Sequence, residues 1–200
     1  RAVITIGEGI PSDECIQANA SALAKYAKAC QDAELVPIVE PEVLMDGDHT
    51  IETCYEVSEK TLKNVFKELE NEGVYLPGIL LKPNMVISGS ECNVQGDTMA
   101  VAEMTVKCLG ASVPAEVPGI VFLSGGQSEV EATEHLNAMN KMGDHPWALS
   151  FSYGRALQQS ALKTWNGQKD NLESTYAVFH HRAEMNSLAC SGEYTSSLEI

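Results

Sequence analysis

The first position with chemical potential is a lysine that directly follows three apolar residues, in Ile79-Leu80-Leu81-Lys82-Pro83. Lysine is rarely buried without a partner. Pro83 holds Lys82 extended, because a residue before proline is kept out of the α region. Such a lysine can be one half of a structural ion pair or a nucleophilic amine. An amine attacks a carbonyl only when neutral, a state favoured by burial or a nearby cation. A carboxylic acid beside it could carry protons through carbinolamine formation and dehydration.

A candidate for that acid ends another apolar run, Val36-Pro37-Ile38-Val39-Glu40-Pro41-Glu42. With a side-chain period of two, Ile38, Glu40 and Glu42 share one face of a strand. Pro41 keeps Glu40 extended as Pro83 does Lys82. Glu42, one step further out, fits a solvated loop as well as a site.

Two further apolar runs end in residues suited to an anion. Phe122-Leu123-Ser124-Gly125-Gly126 puts two glycines where backbone N–H groups can approach a phosphate next to a helix start. Phe151-Ser152-Tyr153-Gly154-Arg155 pairs a permissive glycine with a guanidinium fork. Each alone reads equally well as a tight turn, the second with a surface arginine. Together, at the last two strands of the chain, they favour a phosphate site.

The elements that must position these residues alternate in type. Strands are expected at 2–6, 35–44, 78–82, 119–124 and 147–152. Amphipathic helices are expected at 12–30, 48–71, 97–109, 128–142, 155–165 and 171–190, followed by a polar tail from 191 to 200. Ser128-x-x-Glu131 is a capping box that marks one helix start. Apolar strands alternating with helices indicate a parallel sheet with helices outside. Both an open doubly wound sheet and a section of a (βα)8 barrel satisfy that order. No G-x-G-x-x-G follows a strand, and polar residues at every strand end favour the barrel, whose sites lie at the C-terminal ends of its strands. One domain over 1–200 is expected.

Composition narrows the partners. A net charge of −15 argues against nucleic acid, which needs a basic face. No apolar run approaches the roughly 20 residues of a membrane span. The six cysteines and five histidines show no metal-ligand spacing, so reduced thiols and no metal are expected.

Taken in order, Val39-Glu40-Pro41-Glu42, Leu80-Leu81-Lys82-Pro83-Asn84-Met85, Phe122-Leu123-Ser124-Gly125-Gly126-Gln127-Ser128 and Ser152-Tyr153-Gly154-Arg155-Ala156-Leu157 resemble class I fructose-bisphosphate aldolase. The resemblance runs from Arg1 to about Tyr194. It implies a (βα)8 barrel, of which this chain carries the end of strand 4 through strand 8 and the C-terminal helices. It implies cleavage of fructose 1,6-bisphosphate to dihydroxyacetone phosphate and glyceraldehyde 3-phosphate, without cofactor, by a homotetramer acting on sugar phosphates. Lys82 matches the Schiff-base lysine, Glu40 the acid–base glutamate and Glu42 the second carboxylate of its strand. Ser124, Gly125, Gly154 and Arg155 match the cradle for the ketose 1-phosphate, with Ser152 lining the same mouth. Arg1 matches an arginine on the fourth strand.

Other readings share part of this pattern. A transaldolase-type barrel lyase would share the Schiff-base lysine, and a truncated copy could serve as a scaffold. The family's aspartate for the C4-hydroxyl proton and two further lysines fall ahead of Arg1, and its usual terminal tyrosine has no counterpart at Ile200. A cytoplasmic location suits the acidic balance, with a plastid location open because a transit peptide would precede Arg1. Residues 1–200 alone are expected neither to fold stably nor to turn over. A cooperative melt with aldolase activity would contradict that.

Overall fold

The computed structural model describes residues 1–199; Ile200, the last position of the expected tail, lies outside the described residues. All six expected helices form. Four begin on a side chain that accepts a backbone N–H: Ser12 for α1 (Asp13–Asp32), Thr50 for α2 (Ile51–Asn71), Asp97 for α3 (Thr98–Ser112) and Ser128 for α4 (Glu129–Lys141). At Ser128 both halves of the capping box are made, with Glu131 Oε2 accepting the Ser128 N–H at 2.9 Å. The remaining two are α5 (Arg155–Trp165) and α6 (Leu172–Cys190). The buried stripe of α1 is Ile16, Ala20, Leu23, Ala24 and Ala27, as a period of 3.6 requires.

The strands are shorter than their apolar runs. They are β1 (Ala2–Ile4), β2 (Ile38–Val39), β3 (Pro41–Val43), β4 (Leu80–Leu81), β5 (Gly119–Phe122) and β6 (Ala148–Phe151). Every pairing is parallel: β1 with β3, and β2-β4-β5-β6 in order. The run expected as one strand over 35–44 is thus two pieces joined at Glu40, one paired to each side. Leu80 N–H donates to Pro37 C=O and Lys82 N–H to Val39 C=O, so the next donor towards β4 would be residue 41. Pro41 has no N–H, and the ladder to β4 stops there. Across the other edge Ala2 N–H donates to Glu40 C=O at 2.9 Å, which starts the pairing of β1 with β3.

Helix-covered strands place Val39, Leu81, Ile120, Phe122 and Leu149 in the core. On the other face Val3 and Ile38 are about two-fifths exposed, at 40% and 41%. This strand–helix repeat, with one sheet face packed and the other open, is the second half of a (βα)8 barrel.

Residues 83–89, the first half of the long loop between β4 and α3, are buried and so must find partners for their backbone. Asn84 is central to it. Its Oδ1 accepts from Val43 N–H at 3.0 Å, and its Nδ2 donates to Ser58 Oγ at 3.1 Å and Met85 C=O at 3.0 Å. The residue two positions after Lys82 therefore ties β3, α2 and the strand exit together. Asn84→Ala leaves a buried N–H without an acceptor. It is expected to destabilise the complete protein by about 2 kcal/mol, read as a lower urea midpoint at unchanged slope.

The segment expected as a polar tail packs back onto the helices. Tyr194 is buried and its OH donates to Glu199 Oε1 at 2.9 Å; Glu199 also takes Arg182 Nη1 at 2.6 Å.

Candidate active site

The exits of β2, β4, β5 and β6 open on one cleft, joined by Glu42 from within β3 and Arg1 from just ahead of β1. The break at Glu40 turns that carboxylate towards β4, whose next residue is Lys82, and Lys82 Nζ lies 3.4 Å from Glu40 Oε1. Both side chains are about a fifth exposed, at 20% and 18%. They are accessible enough to meet a small substrate and shielded enough for their charges to matter to each other. One register step on, Glu42 is buried, and Arg1 Nη1 lies 3.1 Å from Glu42 Oε2, an ion pair without hydrogen-bond alignment. Glu42 thus lies on the walls of the site and not in a solvated loop.

Beyond β5 and β6 the chain supplies Ser124, Gly125, Ser152, Gly154 and Arg155. With Arg1, Glu40, Glu42, Lys82 and Leu123 they line one cleft of about 240 Å³. Every residue expected at the site from sequence is in it; Leu123 is the addition. Of two larger depressions, one of about 620 Å³ lies between the loop ahead of α3, the 126–127 turn and α4, and one of about 520 Å³ lies over α4 and residues 194–196; neither contains Lys82, Glu40 or Arg155.

The cleft is a local basic island. Three of the chain's thirteen Lys and Arg residues, Arg1, Lys82 and Arg155, converge on it in a protein of net charge −15. The two helix starts beside it differ. Ser128 already caps α4, whereas Gly154 begins α5 with no side-chain cap, which leaves first-turn N–H groups free for an anion. Gly125 has φ +57° and Gly126 φ +86°, the left-handed region that favours glycine. A Cβ at Gly126 would also meet Met45 Sδ at 2.7 Å. Gly126 therefore shapes the turn from behind and does not line the cleft.

Sequence reasoning missed the groups behind these turns. Tyr153 OH donates to Ala132 C=O at 2.9 Å and anchors the β6 exit to α4. Gln127 and His135 are both buried and bonded to each other. Burial pushes the His135 imidazole down to about 4 from its ordinary 6.5, with Glu131 opposing the shift. The folded protein then holds fewer protons on this group than the unfolded chain between about 4 and 6.5. Stability is expected to fall as pH is lowered through that window, by roughly 3 kcal/mol from this group. Urea midpoints over that range should show a steeper acid loss for the parent than for His135→Asn.

The family model for class-I fructose-bisphosphate aldolase matches residues 1–199. The chain belongs to the class-I fructose-bisphosphate aldolase family. A probable class 1 aldolase of Xanthomonas campestris pv. campestris is 55% identical over 195 residues, covering 97% of this chain and 58% of that protein. The fructose-bisphosphate aldolase of Dictyostelium discoideum is 52% identical over 192 residues, covering 96% and 54%. Among solved structures, Plasmodium falciparum fructose-bisphosphate aldolase in complex with TRAP and a small molecule inhibitor superposes with a TM-score of 0.96 at 52% identity. That likeness covers 98% of this chain and 57% of that one. The chain spans a little over half the length of these aldolases. Among the described residues no helix is long and apolar enough to cross a membrane.

Proposed function

We propose that the protein carrying this chain cleaves fructose 1,6-bisphosphate into dihydroxyacetone phosphate and glyceraldehyde 3-phosphate, with Lys82 as the Schiff-base amine. The observation that carries this reading is the Lys82–Glu40 pair at 3.4 Å, opening into the same cleft as Gly125, Gly154 and Arg155. A bare ion pair would not need an anion cradle, and a bare anion cradle would not need a shielded lysine.

The steps follow from these positions. The neutral Lys82 amine adds to the C2 ketone, and Glu40 donates the proton with which the C2 oxygen leaves as water. The C3–C4 bond then breaks. Its electron pair moves into the iminium to give an enamine, and the C4 hydroxyl loses its proton as glyceraldehyde 3-phosphate forms. By the family resemblance, that proton passes to a carboxylate that is not among residues 1–200. Protonation at C3 and addition of water to the imine release dihydroxyacetone phosphate and free Lys82. The cationic nitrogen is itself the electron sink, so the chemistry requires no metal. Arg155, Ser124, Ser152 and the N–H groups of Gly125 and Gly154 hold the 1-phosphate. Arg1 and Glu42 fix the wall beside Glu40.

Family resemblance further supports a cytoplasmic homotetramer of glycolysis and gluconeogenesis. The test is steady-state cleavage of fructose 1,6-bisphosphate by the complete protein, with triose phosphate release coupled to NADH oxidation, in the presence of EDTA. Turnover that survives the chelator is expected. Folded protein without turnover would overturn the proposal.

A further inference from the structure

The Ser124–Gly125 peptide is held from behind by a two-residue relay. Gln127 donates to Ser124 C=O twice, from its backbone N–H at 3.0 Å and from Nε2 at 2.8 Å. A carbonyl only accepts, so the nitrogen of the Gln127 amide must face Ser124 and Oε1 must face the other way. There Oε1 lies 2.5 Å from His135 Nδ1. The imidazole must therefore carry its proton on Nδ1 and donate it to Gln127. Burial keeps the ring neutral, which is consistent with that single tautomer. Glu131, one turn back on α4, is the charged group that opposes this, and its carboxylate is engaged with the Ser128 N–H.

What the relay fixes is a direction. In a trans planar peptide the C=O and the following N–H point opposite ways. Two hydrogen bonds that pull Ser124 C=O towards α4 turn the Gly125 N–H towards the cleft that Gly125 lines. The turn's own bond, from Gln127 N–H to Ser124 C=O, favours this sense, and the side-chain bond from Gln127 Nε2 holds it. Gly125 and Gly126 both have positive φ, and glycine tolerates either sense of the peptide, so an unheld Ser124–Gly125 unit could rotate and present its carbonyl oxygen to an anion. We propose that Gln127 and His135 are positioning residues for phosphate: they lock the Ser124–Gly125 peptide with its N–H facing the cleft. This deepens the reading of the cleft as a sugar-phosphate site and rests on it.

The test uses the complete protein with Gln127→Ala, His135→Leu and His135→Asn. Asparagine carries an N–H donor where histidine has Nδ1, so it can still donate to Gln127; leucine cannot. Gln127→Ala and His135→Leu should each raise KM for fructose 1,6-bisphosphate about tenfold, with kcat changed no more than about twofold. The inhibition constant of inorganic phosphate should rise to the same extent. His135→Asn should stay within about twofold of the parent. Borohydride trapping of dihydroxyacetone, which has no phosphate, should proceed at the parent rate in all three.

Three results would overturn the proposal: unchanged phosphate inhibition in Gln127→Ala, a loss shared equally by dihydroxyacetone trapping, or His135→Asn as impaired as His135→Leu. If Gln127→Ala does not fold, the two His135 variants decide alone. Phosphate binding read by calorimetry separates this from a failure of the catalytic reading. A parent without a Lys82 adduct that still binds phosphate, and loses that binding in Gln127→Ala, would keep the relay and reject the chemistry.

Discussion

Lys82→Ala is expected to lower kcat for fructose 1,6-bisphosphate by roughly 10⁵-fold or more, the scale seen when a covalent nucleophile is deleted. The loss should fall on kcat while binding of inorganic phosphate survives. Arg155, Gly125 and Gly154 reach the cleft from other strands and do not depend on the lysine. The alternative role, a structural ion pair with Glu40, predicts a different signature. Both side chains are only about a fifth exposed, so removing one partner of such a pair would lower stability by about 3 kcal/mol and leave turnover intact. A melting curve and a kinetic assay on the same variant therefore separate the two.

Glu40→Gln is expected to lower kcat by about 10²- to 10⁴-fold with a modest change in KM. The amide keeps the shape and polarity of the group that sits 3.4 Å from Lys82 Nζ, but it cannot supply the proton with which the C2 oxygen leaves as water. Imine formation should then become rate-limiting. Rapid-quench experiments should show the imine accumulating more slowly than in the parent, with cleavage following it without delay. Equal slowing of both steps would mean that Glu40 acts only through the charge it sets beside the lysine.

Local patterns in the sequence carried the helices and the site residues. The apolar stripe of α1 and the acceptors Ser12, Thr50, Asp97 and Ser128 are features of contiguous residues, and the helix starts they imply agree with the structure to within a few residues. The site was legible for a related reason. In a parallel α/β sheet the groups at strand ends converge without any need to know the register, so Glu40, Lys82, Ser124 and Arg155 could be assigned to one mouth before their distances were known.

What escaped depends on partners far along the chain. The interruption at Glu40 follows from which edge of the strand faces β4, and no local pattern encodes that edge. Pro41 alone reads as a stiff residue; only once Val39 C=O is seen to accept from Lys82 does its missing N–H become the end of a ladder. Asn84, Gln127 and His135 look like loop or surface polar residues in sequence. Asn84 is buried with its hydrogen bonds completed by Val43 and Ser58 on β3 and α2, and Gln127 and His135 by bonding each other across eight residues. Likewise Glu199 reads as solvated until Arg182 and Tyr194 claim its two oxygens.

The most direct measurement is borohydride reduction of the complete protein in the presence of dihydroxyacetone phosphate, followed by peptide mass spectrometry. A Schiff-base aldolase gives a stable secondary amine on the peptide containing Leu80-Leu81-Lys82-Pro83, with the added mass at Lys82 and none when the ketose is omitted. Folded protein that binds the ketose phosphate but yields no adduct at Lys82 would contradict the assignment of this cleft as the catalytic centre.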